Sequence, residues 1–115
     1  MSQRVVITGM GAITPLGIGF KESWKNLLKN KTGIKKAGKL KGYDFRCTIG
    51  SPMPEEVFTE DFHRENKMRM DDPFYSAANY IMREAIETSG IDMGSGLHVP
   101  RDRVGISIAN LGEAL

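Results

Sequence analysis

A single cysteine, Cys47, rules out an intrachain disulfide and fits a reducing compartment. The two histidines, His63 and His98, have no cysteine or second histidine close by, which leaves too few ligands at matched spacing for a zinc site. Aromatic residues make up 8% of the chain and do not alternate with basic ones, and the formal net charge is only +2, so nucleic-acid readout is not indicated. Nor is there a long apolar run. Residues 1–4 lead into only three strongly apolar positions, well short of a signal-peptide core or of the roughly 20 residues that span a bilayer. No membrane partner is expected, and a cytoplasmic protein is.

What is present fits one folded unit. At 115 residues, with 40% hydrophobic and 26% charged side chains, the chain suffices for one core and is short for two. It shows no internal repeat and no low-complexity tract. Charge is unevenly distributed: Lys25, Lys29, Lys31, Lys35, Lys36, Lys39 and Lys41 crowd one stretch, and Glu55, Glu56, Glu60 and Asp61 the next. Both read as solvated faces.

Hydrophobic periodicity orders the elements. Residues 5–8, Val-Val-Ile-Thr, form a β-branched run ended by Gly9, the pattern of a strand buried in the middle of a sheet. An ordered loop follows over residues 9–17, where glycines permit unusual backbone angles and Pro15 blocks early helix formation. Phe20, Trp24, Leu27 and Leu28 recur at helical spacing, with Gly33 marking the stop. A second strand is expected over residues 46–49, closed by Pro52 and Pro54.

The best-specified element is a helix over residues 72–89. Asp72 suits the cap, Pro73 the first turn and Gly90 the left-handed exit. Phe74, Ala77, Ala78, Ile81 and Ala85 give it an apolar stripe broad enough for deep packing against a sheet. Residues 104–108, Val-Gly-Ile-Ser-Ile, read as a third strand. Strands alternating with helices predict an α/β layered fold.

Several residues invite chemical readings. A strand leading into Gly9-x-Gly11 suggests a dinucleotide site, but the third glycine of that fingerprint falls on Thr14. No acidic residue lies between Glu22 and Asp44 to take a ribose hydroxyl. Cys47 sits among strand-forming neighbours and reads as a buried structural cysteine. His63 and His98 read as exposed loop histidines. Of the adjacent carboxylates Asp71 and Asp72, the second is explained by capping. Arg64, Lys67 and Arg69 form a small cationic group able to meet phosphate or carboxylates.

The run from Val5 through Gly9-Met10-Gly11-Ala12-Ile13-Thr14-Pro15-Leu16-Gly17, then Trp24 to Leu28 and Thr32-Gly33-Ile34, resembles the opening of β-ketoacyl-acyl-carrier-protein synthases. Met70-Asp71-Asp72-Pro73-Phe74 with Ala77, Ala78, Ala85 and Ser89-Gly90 looks like that family's next long helix, and Arg103-Val104-Gly105-Ile106 like the strand after it. The resemblance implies a thiolase-like fold, a sheet with packed helices that is incomplete in this chain. Residues 1–115 would be the amino-terminal part of a ketosynthase domain, with no second domain.

The same resemblance implies decarboxylative condensation of acyl and malonyl thioesters in fatty-acid or polyketide synthesis. It further implies an acyl carrier protein as partner, and a homodimer or heterodimer formed through regions outside these residues. No cofactor or metal is called for. The family's cysteine nucleophile sits in a small-residue Thr-Ala-Cys-type turn, which Cys47 does not match, and His63 and His98 lack the glycine-rich surroundings of the family histidines. The chain is therefore expected to carry no catalytic residue and to be inactive alone. Arg64, Lys67 and Arg69 fall where the family places basic residues that meet the carrier. Leu111 and Gly112 fall in a loop that shapes the acyl pocket, here poorer in glycine than usual. A non-catalytic, chain-length-factor-like subunit and a free-standing α/β interaction module are the competing readings.

Overall fold

Apolar side chains at helical spacing, with alanine where a neighbour must come close, build the longest element among the described residues, a helix from Pro73 to Ser89. The computed structural model describes residues 3–36, 46–66, 73–91 and 99–109. In chain order these contain β1 (Ile13–Thr14), β2 (Gly17–Ile18), α1 (Phe20–Leu28), β3 (Lys35–Lys36), β4 (Ile49–Gly50), α2 (Glu60–Glu65) and α3 (Pro73–Ser89). Short 3-10 turns lie at Glu55–Phe58 and Arg101–Arg103.

β1 and β2 form a tight antiparallel hairpin across Pro15 and Leu16, with Ile13 opposite Ile18 and Thr14 opposite Gly17. The Thr14 hydroxyl accepts from the Leu16 N–H at 3.1 Å and so fixes the turn. Chain direction then changes at Gly19, whose φ of 97° disfavours any side chain, and α1 begins. That helix ends at Lys29, and Asn30 takes the left-handed exit at φ 55°. β3 pairs with β4 antiparallel, Lys35 opposite Gly50.

Val57 and Phe62 meet Ala77 of α3 in a small core, with Ile13, Ile18, Met53 and Tyr80 packed around it. Burying Val57 completely contributes about 1.5–3 kcal/mol. The rings of Phe62 and Tyr80 lie 5.5 Å apart, joining α2 to α3. α2 exists because Thr59 caps it, its hydroxyl accepting from the Phe62 N–H at 3.2 Å.

The strand expectations need correction. Residues 5–8 form no strand and pair with no described residue, and Val5, Val6 and Ile7 are exposed. Residues 104–108 are likewise unpaired, with Ile106 and Ile108 exposed. A strand is defined by its neighbour, and among the described residues neither run has one. Of the expected 46–49 strand, only Ile49 is paired, together with Gly50.

α3 also differs from the expected deeply packed helix. Ser76 and Ala77 are buried, but Phe74, Tyr75 and Met82 are exposed. What approaches its small residues is the glycine loop, not a sheet. The helix does span the expected length and leaves through Gly90 at φ 71°, while the Asp72 cap lies outside the described residues. The whole is a small α/β arrangement of short sheets and helices.

Candidate functional site

The loop over residues 9–12 lies directly on α3. A Cβ at Gly9 would overlap the Ala85 carbonyl oxygen and come within 2.7 Å of the Ser89 nitrogen; one at Gly11 would overlap the Ile81 carbonyl group. These glycines are therefore required by close approach of two backbones. The face they leave open is filled by protein, which supplies a structural reason against a dinucleotide there.

Polar groups lock this seam. Glu84 of α3 accepts from the Ala12 N–H at 3.0 Å through Oε2 and from the Phe20 N–H at 2.8 Å through Oε1. The second contact supplies the first turn of α1 with the acceptor that Gly19 cannot provide. One turn later, the Thr88 hydroxyl accepts from the Met10 N–H at 3.2 Å and donates to the Glu84 carbonyl at 2.7 Å.

Tyr80 lies beside this carboxylate. Burial, and then the negative charges of Glu84, Glu87 and Glu22, raise its phenol above the ordinary value of 10.0. Arg83 donates to the Asn66 carbonyl, and Asn66, Tyr80, Arg83, Glu84 and Glu87 line a small polar recess.

His63 is buried on α2, contrary to the expectation of an exposed loop residue. The residue lies on the helix face turned toward α3. Its Nδ1 stands 2.6 Å from the Thr59 carbonyl, which can only accept, so Nδ1 carries the hydrogen. Nε2 is 2.7 Å from the hydroxyl of fully buried Ser76. The serine–histidine contact resembles an activated nucleophile in geometry, but a hydroxyl without solvent access cannot meet a substrate. It ties α2 to α3.

Cys47 is exposed, not buried, with its thiol 3.6 Å from the Ile49 carbonyl. The strand that should have covered it does not extend that far. Among the described residues no three histidine, cysteine or carboxylate side chains are grouped to hold a metal. No described helix is long and apolar enough to cross a membrane.

Of the basic candidates, Arg64 is described, on the exposed side of α2, paired with Asp61 at 2.5 Å. An exposed pair of this kind is worth about 0–1 kcal/mol. Lys67 and Arg69 lie outside the described residues, as do His98, Leu111 and Gly112. The structure thus brings together Glu84, Thr88, Gly9 and Gly11, a set the sequence did not single out as a unit.

A second feature is an apolar cleft of about 390 Å³ between the hairpin and α1. Pro15, Leu16, Phe20, Trp24 and Leu27 line it, and the Phe20 and Trp24 rings stack at 6.3 Å. Gly33 closes one end against Pro15, where a side chain would collide with the ring.

Comparison with known proteins places this chain in a family. Residues 2–112 match the family described as Beta-ketoacyl synthase, N-terminal domain. A 3-oxoacyl-[acyl-carrier-protein] synthase 2 of Staphylococcus aureus (strain COL) is 29% identical over 109 residues, covering 95% of this chain and 25% of that protein. A 3-oxoacyl-[acyl-carrier-protein] synthase homolog of Saccharomyces cerevisiae is 42% identical over 71 residues, covering 57% of this chain and 16% of that protein. The chain thus spans at most about a quarter of the length of these relatives. No solved structure matches it at a significant level.

Proposed function

Because the chain belongs to the beta-ketoacyl synthase family, matched through its N-terminal domain, we propose that the protein carrying it joins an acyl thioester to a malonyl thioester. A cysteine thiolate outside these residues takes the acyl group and expels the carrier thiol. Malonyl thioester then loses carbon dioxide, and the resulting carbanion attacks the acyl-enzyme, forming a carbon–carbon bond and releasing the cysteine. Fatty-acid or polyketide synthesis is the setting, and a dimer with a thiolase-like fold the form.

The observation that carries this reading is the family match over residues 2–112. The loop that anchors it, residues 9–17, owes Gly9 and Gly11 to contact with α3. In this reading the segment is scaffold: it sets a loop and a helix against each other and supplies surface for the carrier. Arg64, Lys67 and Arg69 meet the carrier's carboxylates by charge-assisted hydrogen bonds, and Leu111 and Gly112 help bound the acyl pocket.

The test is to supply the protein with acyl-carrier and malonyl-carrier substrates and to follow product and carbon dioxide together. One β-ketoacyl product per carbon dioxide released is expected. Absence of product when the protein is assayed alone, with product restored only by a second subunit, would replace the enzyme by the non-catalytic partner. Reversing Arg64, Lys67 and Arg69 together should raise KM for the carrier, more so at low salt.

A further inference from the structure

Two buried residues fix how α2 is turned. Phe62 packs on Tyr80 and His63 meets Ser76, both of α3. At about 100° per residue, a helix that points 62 and 63 inward must point 60, 61, 64 and 65 outward. Glu60, Asp61, Arg64 and Glu65 are indeed all exposed. The outward face of α2 thus carries one guanidinium among three carboxylates, and Arg64 stands one turn on from both Glu60 and Asp61.

One of those carboxylates already holds it. Asp61 Oδ1 accepts from Arg64 Nη2 at 2.5 Å, with the two side chains 73% and 76% exposed. Glu60 and Glu65 form no ion pair with a described residue, so their charges stay unbalanced beside the pair. Of the three cations proposed above to meet the acyl carrier, Arg64 is the described one. What is inferred for Asp61 rests on that reading of Arg64.

A carrier carboxylate that arrives at Arg64 meets a positive charge balanced by Asp61 and flanked by Glu60 and Glu65. Forming the new contact means displacing Asp61. An exposed pair is weak enough for that exchange to occur, and the displaced carboxylate then stands unpaired next to the incoming one. Like charges this close lie within the screening length of about 10 Å at 0.1 M salt, so they repel.

We infer that Asp61 is a specificity-determining residue for the carrier. It competes with the carrier's carboxylate for Arg64 and, together with Glu60 and Glu65, disfavours the more acidic of two carriers. Asp61 also lies in the first turn of α2, where a carboxylate favours the helix. That structural role alone would respond neither to the identity of the carrier nor to Arg64.

The test measures Kd of the whole protein that carries this segment for two acyl carrier proteins of different net charge, at low and at high salt. Arg64→Gln should weaken binding. Asp61→Asn should tighten it by about threefold at low salt, more for the more acidic carrier. The gain should disappear at high salt and be smaller in the Arg64→Gln background. Glu65→Gln should give a lesser gain, because Glu65 shares the face of Arg64 without bonding to it, and circular dichroism of each variant should match the parent.

Unchanged or weaker binding with Asp61→Asn, an equal gain for both carriers, or a full gain in the Arg64→Gln background would each overturn the role of Asp61 while leaving Arg64 as a carrier contact. If Asp61→Asn disturbs the helix, Glu65→Gln decides, and no gain from it with the more acidic carrier would overturn the inference. Arg64→Gln without effect on either carrier would remove the carrier reading of Arg64 and the role of Asp61 with it.

Discussion

Glu84 and Phe20 are 64 residues apart in sequence, and the carboxylate of the first accepts the backbone N–H of the second at 2.8 Å. A side chain in the middle of α3 thereby caps the start of α1, while its other oxygen holds Ala12. Glu84→Ala leaves both donors without this acceptor. It is expected to cost about 1–3 kcal/mol of stability, with Glu84→Gln costing less because one acceptor remains. Urea denaturation of the three forms checks the order.

The glycine seam gives a sharper contrast. Gly11→Ala must push the loop off the Ile81 carbonyl, and Gly9→Ala off that of Ala85. Each should destabilise by about 1–3 kcal/mol. Gly105 has nothing within 4 Å of where a Cβ would stand, so Gly105→Ala should be close to neutral. Equal effects at all three positions, measured by thermal unfolding, would show that the seam is not the cause.

His63 and Ser76 are expected to behave as a coupled pair. Ser76→Ala removes the partner of a buried ring nitrogen and should cost about 1–3 kcal/mol. In a double-mutant cycle with His63→Ala the two losses should not add. Additive losses would mean that the two side chains act independently.

Tyr80 gives a pH dependence of known sign. Its phenol is raised above 10.0 first by burial and then by Glu84, Glu87 and Glu22, so the folded state holds the proton more tightly than the unfolded chain does. The resulting stability is complete below about pH 10 and lost as pH rises through the higher folded value. Tyr80→Phe should therefore show a shallower alkaline loss of stability than the parent. Identical slopes above pH 10 in paired denaturation curves would contradict this.

Much of this was legible in the sequence, for reasons that differ by element. α1 and α3 were, because Phe20 and Trp24, or Ala77 and Ile81, sit at helical spacing and because Gly90 marks an exit. These are local signals. The runs at 5–8 and 104–108 were misread as strands because a β-branched run fixes only a tendency, and a ladder needs a neighbour that no described residue supplies. α2 was missed for being short, although Thr59 followed by Glu60 and Asp61 is a recognisable helix start.

Cys47 and His63 exchanged environments relative to expectation. The cysteine's β-forming neighbours suggested cover that the two-residue β4 does not give, and the histidine's polarity concealed a face turned toward Ser76. Glu84 escaped notice because nothing in a helix sequence tells which glutamate will meet a backbone 64 residues away. The family resemblance was readable because the glycine loop and the α3 residues it touches are both sequence-specific features. Their contact was not.

The family shown is the beta-ketoacyl synthases, and we propose that these 115 residues belong to a condensing enzyme without holding its reacting cysteine. The most direct measurement is the intact mass of the chain after incubation with acyl-carrier protein, followed by proteolytic mapping of any adduct. The expected result is an unmodified chain with Cys47 free. An acyl thioester on Cys47, discharged on adding malonyl-carrier protein, would contradict it.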